Sequence, residues 1–184
     1  MGDKKVEAPL TAETVKNLKA GDGVLLSGVI YTARDAAHKR LVDLIDKGGQ
    51  LPFDPEGSVI YYVGPSPAPP GHVIGAAGPT TSCRMDSYTP LLLKHGVKGM
   101  IGKGQRSAEV KRAIQEYTAV YFGATGGAAA LISGAIVEAE MIAFDDLGTE
   151  AVRRLVVKEM PLVVINDCYG RDLYIEGKRK WSRE

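Results

Sequence analysis

Hydrophobic positions occur along the chain in short runs that alternate with amphipathic stretches. Residues 34–47 and 108–116 carry apolar side chains at helical spacing, which predicts two helices. Other runs are rich in β-branched and aromatic side chains, as buried strands are. These runs are residues 23–32, 58–63, 99–102 and 118–122. Strands and helices are therefore predicted to alternate through the middle of the chain.

The last third of the chain is richer in strand patterns. Residues 136–144, 152–157 and 162–165 predict strands, and residues 178–181 predict a solvated tail. Alternating elements followed by a run of strands predict an α/β domain with a mixed central sheet. The chain has 184 residues and no internal repeat, so we expect one domain over residues 1–184 with short flexible termini.

Residues 78–86, with the sequence GPTTSCRMD, carry the densest chemistry. A Gly-Pro turn precedes three hydroxyl side chains, and Arg84 follows them. If a helix begins at Ser82, its free N–H groups favour an anion, and the Arg84 guanidinium suits a carboxylate or phosphate. The alternative interpretation is structural. In that case one hydroxyl caps a helix and Arg84 pairs with Asp86 on the surface.

Cationic residues recur where predicted strands end. Arg34 follows the strand at residues 23–32, and Lys103 follows the GMIG strand. Thr80 and Arg84 follow a short extended piece. Ligands of open α/β sheets gather at the carboxyl ends of the strands. If these turns share an edge, two guanidiniums and one ammonium converge beside a hydroxyl, an arrangement that suits a dicarboxylate.

Composition narrows the classes of protein. The net charge is +1, which gives no indication of a nucleic-acid or membrane partner. No apolar run approaches the length of a membrane span, and the N-terminus lacks the apolar core of a signal peptide. The two cysteines, Cys83 and Cys168, make neither a disulfide framework nor a metal site of three or four cysteines. We therefore expect a cytoplasmic protein.

The sequence offers groups to hold a substrate without an evident catalytic motif. It contains no HExxH, P-loop, GxSxG or CxxC pattern, and its three histidines are scattered. His38 follows Arg34 by one helical turn, so it lies either near the site or in the core as a structural histidine. A threonine such as Thr80 is a poor base unless a neighbour activates it.

Several short blocks carry a family resemblance. They are LSG at 26–28, ARDAAH at 33–38, YVGP at 62–65, GPTTSCRMDSY at 78–88, GKGQRS at 102–107 and GGAAA at 126–130. In this order the blocks resemble the C-terminal half of class I fumarate hydratases, a family of iron–sulfur hydro-lyases that also includes L(+)-tartrate dehydratase. The resemblance covers about residues 10–176.

The resemblance implies a fold, a cofactor and a partner. The fold would be a swivelling β/β/α domain. A 4Fe–4S cluster would be bound by three cysteines of a separate α subunit or of an N-terminal domain, with no metal ligand in this chain. The chain would then be the β subunit of a heterodimer or larger hetero-oligomer. The substrate would be a small dicarboxylate, with fumarate hydratase as the first expectation and L(+)-tartrate dehydratase as the alternative.

The resemblance also assigns roles to residues. Arg34, Arg84 and Lys103 resemble the family's ligands for the substrate carboxylates and hydroxyl, and Thr80 resembles its proposed catalytic base. Cys83 stands where relatives often carry glycine. The sequence is also compatible with two other classes of protein. A stand-alone swivelling module for ligand binding or phosphotransfer would need no α subunit, and a stand-alone hydrolase would need a nucleophile–base pair.

Overall fold

The computed structural model describes residues 2–124 and 128–182. Within them, the strands are β1 (Lys4–Ala8), β2 (Gly23–Thr32), β3 (Val59–Tyr61), β4 (Gly99–Gly102), β5 (Val120–Gly123), β6 (Ile136–Ala143) and β7 (Val152–Asn166). The α-helices are α1 (Ala12–Lys16), α2 (Asp35–Asp46), α3 (Thr89–Lys94), α4 (Ala108–Glu116), α5 (Ala129–Ser133) and α6 (Leu173–Trp181). Two 3₁₀ segments cover Ser82–Met85 and Asp145–Glu150.

All of these strands belong to one mixed sheet in the order β1-β2-β3-β4-β5-β7-β6. The strands β2, β3, β4 and β5 are parallel to one another, whereas β7 runs antiparallel to β2, β5 and β6. Because β7 pairs with both β5 and β2, the strands β2, β3, β4, β5 and β7 form a closed ring. The expected α/β class with a mixed central sheet is confirmed.

Alternate residues of the parallel strands face two separate buried clusters, as the two-residue period of a strand requires. One cluster fills the ring and includes Tyr61, Ile101, Phe122, Leu26 and Leu155. The other lies under the helices and includes Ile60, Met100, Tyr121, Leu41, Leu92 and Ile114. The parallel strands are buried on both sides, which explains their nearly continuous apolar sequences.

Several elements match the sequence prediction closely. The structure places β2, β4 and α4 at the predicted residues. The Ser107 side chain caps α4 by accepting a hydrogen bond of 3.2 Å from the Val110 N–H. Pro90 lies in the first turn of α3, where its missing N–H costs nothing.

The strand β7 corrects one prediction, because two strands were expected where one continuous strand exists. Pro161 lies between the two predicted strands, and proline removes a hydrogen-bond donor from a sheet. In the structure Pro161 pairs opposite Leu25 of β2. On its other side β7 pairs with β6 only up to Val157 and with β5 only from Val163. Pro161 therefore lies where β7 has a neighbour on one side alone.

The two ends of the chain also differ from the prediction. Residues 4–8 form β1, which was not predicted because the segment KKVEA is mostly charged. Only Val6 and Ala8 of this strand are buried. Residues 178–181, predicted as a tail, belong to α6. Asp172 caps α6 by accepting hydrogen bonds from the N–H groups of the next turn. None of the helices in the described parts of the chain has the length and apolar character needed to cross a membrane.

Gly102 ends β4 at a point where the structure has no room for a side chain. A Cβ atom there would overlap the Ser82 hydroxyl and lie 2.9 Å from Cδ2 of Tyr62. We expect Gly102→Ala to lower the free energy of unfolding by about 1–3 kcal/mol, because both neighbours are buried. Urea unfolding measures the change.

The matched control is Gly177→Ala in α6, where no atom lies within 4 Å of the added methyl group. Alanine favours helices over glycine, so this variant should be as stable as the wild type or slightly more stable. A Gly102→Ala protein with wild-type stability would contradict the close approach of Ser82 to β4.

Candidate active site at the carboxyl ends of the parallel strands

Residues 79–82 enter the sheet edge between the chain segments that follow β3 and β4. The Thr80 N–H donates a hydrogen bond of 2.7 Å to the Tyr62 carbonyl. On the other side, the Lys103 N–H donates to the Thr80 carbonyl at 3.3 Å, and the Ser82 N–H donates to the Lys103 carbonyl at 2.9 Å. These backbone bonds place Thr80 beside Lys103, as the sequence interpretation required.

The Ser82 side chain also holds the inserted residues 79–82 in place. Its hydroxyl lies 2.9 Å from the Tyr121 hydroxyl, and the Tyr121 hydroxyl donates a hydrogen bond of 2.9 Å to the Gly104 carbonyl. Ser82 must then donate to Tyr121, since Tyr121 has one hydroxyl hydrogen. Burial raises the pKa of Tyr121, so the phenol keeps that hydrogen. The chain Ser82–Tyr121–Gly104 ties the insertion to the turn after Lys103.

The segment after the insertion is shorter than expected. Ser82–Met85 is a 3₁₀ turn of four residues, too short to provide the dipole of a long helix for the predicted attraction of an anion. The Arg84 side chain leaves this turn 47% exposed, and Cys83 is exposed as well. The Arg84 guanidinium is therefore accessible to an anion at this turn.

Arg84 pairs with Asp35, the first residue of α2. Arg84 Nε donates a hydrogen bond of 2.9 Å to Asp35 Oδ1, and Arg84 Nη2 lies 2.8 Å from Asp35 Oδ2. The structural alternative, in which Arg84 pairs with Asp86, is therefore wrong. Asp35 follows Arg34 directly, so the pair brings the two predicted guanidiniums to the same corner of the sheet edge.

Arg34 lies in a tighter environment, with its side chain 21% exposed. Its Nη2 atom is 3.4 Å from Glu150 Oε1, and Glu150 Oε2 accepts a hydrogen bond of 3.0 Å from the Ala36 N–H. A Cβ atom on Gly64 would lie 2.6 Å from Arg34 Nη1, so glycine makes room for the guanidinium. Arg34 Nε is buried and has no hydrogen-bond partner among the described residues.

Lys103 and Thr80 differ from the two arginines. Lys103 is exposed, and no carboxylate of the described residues pairs with it. Thr80 is half-buried, and within residues 2–124 and 128–182 its hydroxyl makes no hydrogen bond to the protein. A base role for Thr80 therefore requires an activating group from outside the described residues.

A buried ion pair that the sequence reasoning missed holds the site together. Arg106 is fully buried, and its Nε donates a hydrogen bond of 2.7 Å to Asp86 Oδ1. Arg106 Nη2 donates to the Thr89 hydroxyl at 2.7 Å, and its guanidinium lies over the Tyr62 and Tyr121 rings. Asp86 and Arg106 belong to the GPTTSCRMD and GKGQRS blocks, so the pair joins the two loops that carry Thr80, Arg84 and Lys103.

His38 is a core residue behind this site. It has no exposed surface, and its Nδ1 donates to the Arg34 carbonyl at 2.9 Å. Its Nε2 atom lacks a partner among the described residues, and its ring packs edge-on against Tyr62. Burial, helped by the nearby Arg106 cation, lowers the pKa of His38 to about 4, so the imidazole is neutral at pH 7.

The chain does not fit the binding of an iron–sulfur cluster by itself. The sequence has two cysteines, so this chain cannot supply three cysteine ligands. The described residues also contain no group of three or more His, Cys, Asp or Glu side chains placed to hold a metal ion. Cys83 lies on the exposed turn at the site, whereas Cys168 follows β7 and its pKa is raised by burial.

The four predicted site residues thus lie along one connected edge of the structure. Thr80 and Lys103 share backbone hydrogen bonds, and Arg84 and Arg34 are linked through Asp35. The sequence reasoning missed the carboxylate partners. Asp35 stands inside the ARDAAH block and could have been found there, but Glu150 carried no signal. Gly126 and Gly127, from the GGAAA block, lie outside the described residues.

Comparisons with known proteins show the family of this chain. The chain matches the family model described as Fumarase C-terminus over residues 3–177 and belongs to that family. It is 40% identical over 151 residues to the anaerobic class I fumarate hydratase of Escherichia coli strain K12, and 38% identical over 156 residues to fumarate hydratase 2 of Leishmania major. These matches cover 81% and 84% of this chain.

The same family includes a relative of similar length. The chain is 38% identical over 177 residues to a Methanocaldococcus jannaschii protein named as an L(+)-tartrate dehydratase subunit beta. That match covers 93% of this chain and 91% of the relative. In contrast, the chain spans 28% of the length of each of the two fumarate hydratases. The expected relationship to class I fumarate hydratases and the tartrate dehydratase β subunit is confirmed.

His38 should make the stability of the fold depend on pH. Below its ordinary pKa of 6.5, an unfolded chain takes up a proton that the folded chain refuses until about pH 4. The stability that His38 contributes is therefore complete above pH 6.5 and is lost as the pH falls towards 4. At about 1.4 kcal/mol per pKa unit, the loss is about 3 kcal/mol.

The measurement is urea unfolding at pH 7.5 and pH 4.5 for the wild type and His38→Asn. Asparagine keeps a donor for the Arg34 carbonyl but does not titrate, so the difference between the two pH values should shrink by about 3 kcal/mol. His95→Asn, which removes an exposed histidine, serves as the control and should keep the wild-type difference. An unchanged difference in His38→Asn would contradict a neutral buried imidazole.

Proposed function

We propose that this chain, acting as one domain, is the β subunit of a hydro-lyase and supplies the substrate clamp for a small dicarboxylate. The observation that carries the proposal is the connected edge formed by Arg34, Thr80, Arg84 and Lys103. It is supported by the family relationship, since the relatives are named as fumarate hydratases and as a tartrate dehydratase subunit. The first expected substrate pair is fumarate and malate.

The cationic side chains fit the two ends of a dicarboxylate. Guanidinium groups bind carboxylates with paired hydrogen bonds, and an ammonium binds as a point charge. Loss of a proton next to a carboxylate places additional negative charge on that carboxylate. Cations fixed beforehand at this position stabilise the charge as it develops, without reorganisation during the reaction. In this proposal Arg34, Arg84 and Lys103 bind the substrate, and only the cation at the carboxylate next to the reacting carbon stabilises the developing charge.

Thr80 is the proposed base of this chain. Its backbone is held on both sides by hydrogen bonds, so the position of its side chain is defined by the sheet edge. Since the described residues provide no group that activates the hydroxyl, we propose that the activating group comes from the partner subunit. The active site would then be assembled from two chains, with this chain supplying the anion-binding half.

The proposed partner is an α subunit that binds the 4Fe–4S cluster. This follows from the family resemblance together with the two cysteines of this chain, which are too few for a three-cysteine set. Both cysteines are unpaired thiols, which suits a reducing cytoplasmic compartment. When bound to the partner, the cluster would supply Lewis-acid chemistry to the substrate hydroxyl.

L(+)-Tartrate is the alternative substrate, and one observation favours it. The tartrate dehydratase subunit and this chain match over nearly their full lengths. A separate phosphotransfer module has less support, because it needs an accessible histidine. His38 is fully buried, and neither His72 nor His95, which are exposed, stands in a phosphohistidine motif.

Reconstitution tests the proposal. The chain is purified anaerobically together with its proposed cluster-binding partner subunit, and fumarate hydration and L(+)-tartrate dehydration are assayed. We expect activity only with both chains present, with fumarate as the preferred substrate. The Thr80→Val variant keeps the shape of threonine without its hydroxyl, so kcat should fall by a factor of about 100 or more while KM and iron content stay constant.

Arg40→Lys provides a control for surface charge, because Arg40 forms an exposed ion pair with Asp146 away from the proposed clamp. Its kcat and KM should match the wild type. Full turnover by the Thr80→Val complex would remove Thr80 from the mechanism. The absence of any activity or complex in the wild type would contradict the β-subunit proposal itself.

A further inference from the structure

Asp35 occupies one edge of the Arg84 guanidinium. Arg84 Nε donates a hydrogen bond of 2.9 Å to Asp35 Oδ1, and Arg84 Nη2 lies 2.8 Å from Asp35 Oδ2, so the carboxylate lies along the side edge of the guanidinium with one hydrogen bond and one closer ion-pair contact. A guanidinium has a second edge, formed by Nη1 and the other hydrogen of Nη2, that binds carboxylates in the same way. Arg84 Nη1 makes no hydrogen bond to the residues that the structure describes. One edge is therefore filled by the protein and the other is free.

The two partners differ in how firmly the fold holds them. Asp35 is the first residue of α2, and Ala37, His38 and Leu41 of that helix are buried. The turn before it is fixed by the Ala33 N–H, which donates to the Tyr61 carbonyl at 3.2 Å. Arg84 instead projects a long side chain from a short 3₁₀ turn. Ordering such a long side chain costs conformational entropy. Asp35 is therefore the fixed partner and Arg84 the adjustable one.

A carboxylate at this place needs a reason, because it opposes the binding of a dianion. Asp35 and Glu150 already neutralise two of the three cations at the edge, and Lys103 is left without a carboxylate partner among the described residues. A clamp selected only for positive charge would omit Asp35. The contact gives the reason, since a hydrogen bond to Nε and an ion-pair contact to Nη2 hold the side edge of the Arg84 guanidinium against Asp35.

We propose that Asp35 is a positioning residue that holds Arg84 by its side edge, so that the free end edge receives one carboxylate of the substrate. The inference rests on the proposed function, because it assigns a substrate carboxylate to that edge. Asp35 itself does not touch the substrate. Its removal should weaken binding of the ground state and of the transition state alike, which raises KM and leaves kcat nearly constant.

The chain contains a matched control for this pair. Asp146 accepts two hydrogen bonds from Arg40, at 2.7 Å from Nη1 and 2.5 Å from Nη2, and Arg40 belongs to the same helix as Asp35. In both pairs two guanidinium nitrogens face the two oxygens of one carboxylate, and both pairs are partly exposed. Asp146→Ala thus removes an arginine–carboxylate pair of similar chemistry that has no place in the proposed clamp.

The first measurement does not depend on catalysis. In the isolated full-length chain with ¹⁵N-labelled arginine, the Nε–H signal of Arg84 is identified by its loss in Arg84→Lys. We expect Asp35→Ala to speed hydrogen exchange at Arg84 Nε by about 10-fold, since the hydrogen bond that protects it is gone. Asp146→Ala should leave the Arg84 signal unchanged, and Asp35→Ala should leave the Arg40 signal unchanged.

The second measurement uses the reconstituted complex. We expect Asp35→Ala to raise KM about 10-fold with kcat within a factor of about two, whereas Asp146→Ala keeps both values. In an Arg84→Lys background, Asp35→Ala should add little to KM, because the fork that Asp35 orients is already absent. Asp35→Glu should recover part of the Arg84 protection and part of the affinity.

The outcomes separate the inference from the function on which it rests. Unchanged exchange at Arg84 Nε in Asp35→Ala would overturn the positioning role whatever the enzyme does. Faster exchange with unchanged KM would overturn the assignment of a substrate carboxylate to the free edge. A wild-type complex inactive towards both substrates would defeat the proposed function and the substrate assignment, while the exchange data would still decide whether Asp35 positions Arg84.

Discussion

The site depends on the insertion of residues 79–82 into the sheet edge and on the buried ion pair that keeps them there. The insertion satisfies backbone groups of the segments on both sides, which would otherwise be left unpaired at the ends of β3 and β4. Arg106 carries a full charge into the core, which is costly unless every donor finds a partner. Asp86, Thr89 and the rings of Tyr62 and Tyr121 supply those partners. The loops that carry the chemistry are thereby held to a rigid sheet.

The charges of the site are arranged in pairs rather than as a simple cluster of cations. Asp35, the first residue of α2, pairs with Arg84, and Glu150 pairs with Arg34. The two guanidiniums are therefore ordered before any ligand arrives. Order of this kind reduces the entropy that binding must overcome. The edge is also incomplete as a catalyst, because the Thr80 hydroxyl lacks an activating partner in the described part of the chain. Both features suit one half of an active site shared between two chains.

The sequence predicted the parts of this structure that follow from local patterns. β4 and α4 were found to the residue, because each is a short periodic run bounded by clear glycine or serine signals. The candidate site residues were expected to lie close together because they follow strands, and parallel strands end at one edge. The ion pairs were not found, since Arg84 with Asp35, Arg34 with Glu150 and Arg106 with Asp86 are each long-range contacts. Pro161 and the charged β1 show that sheet neighbours override local propensity.

The most direct test of the account is a structure of the chain in complex with its cluster-binding partner and a bound dicarboxylate, either L-malate or L(+)-tartrate. The account predicts that one carboxylate lies on the free edge of Arg84, that Arg34 and Lys103 lie within ion-pair distance of the ligand, and that the Thr80 hydroxyl faces its reacting carbon. A ligand held by the partner alone, with no contact to Thr80, Arg84 or Lys103, would contradict the account.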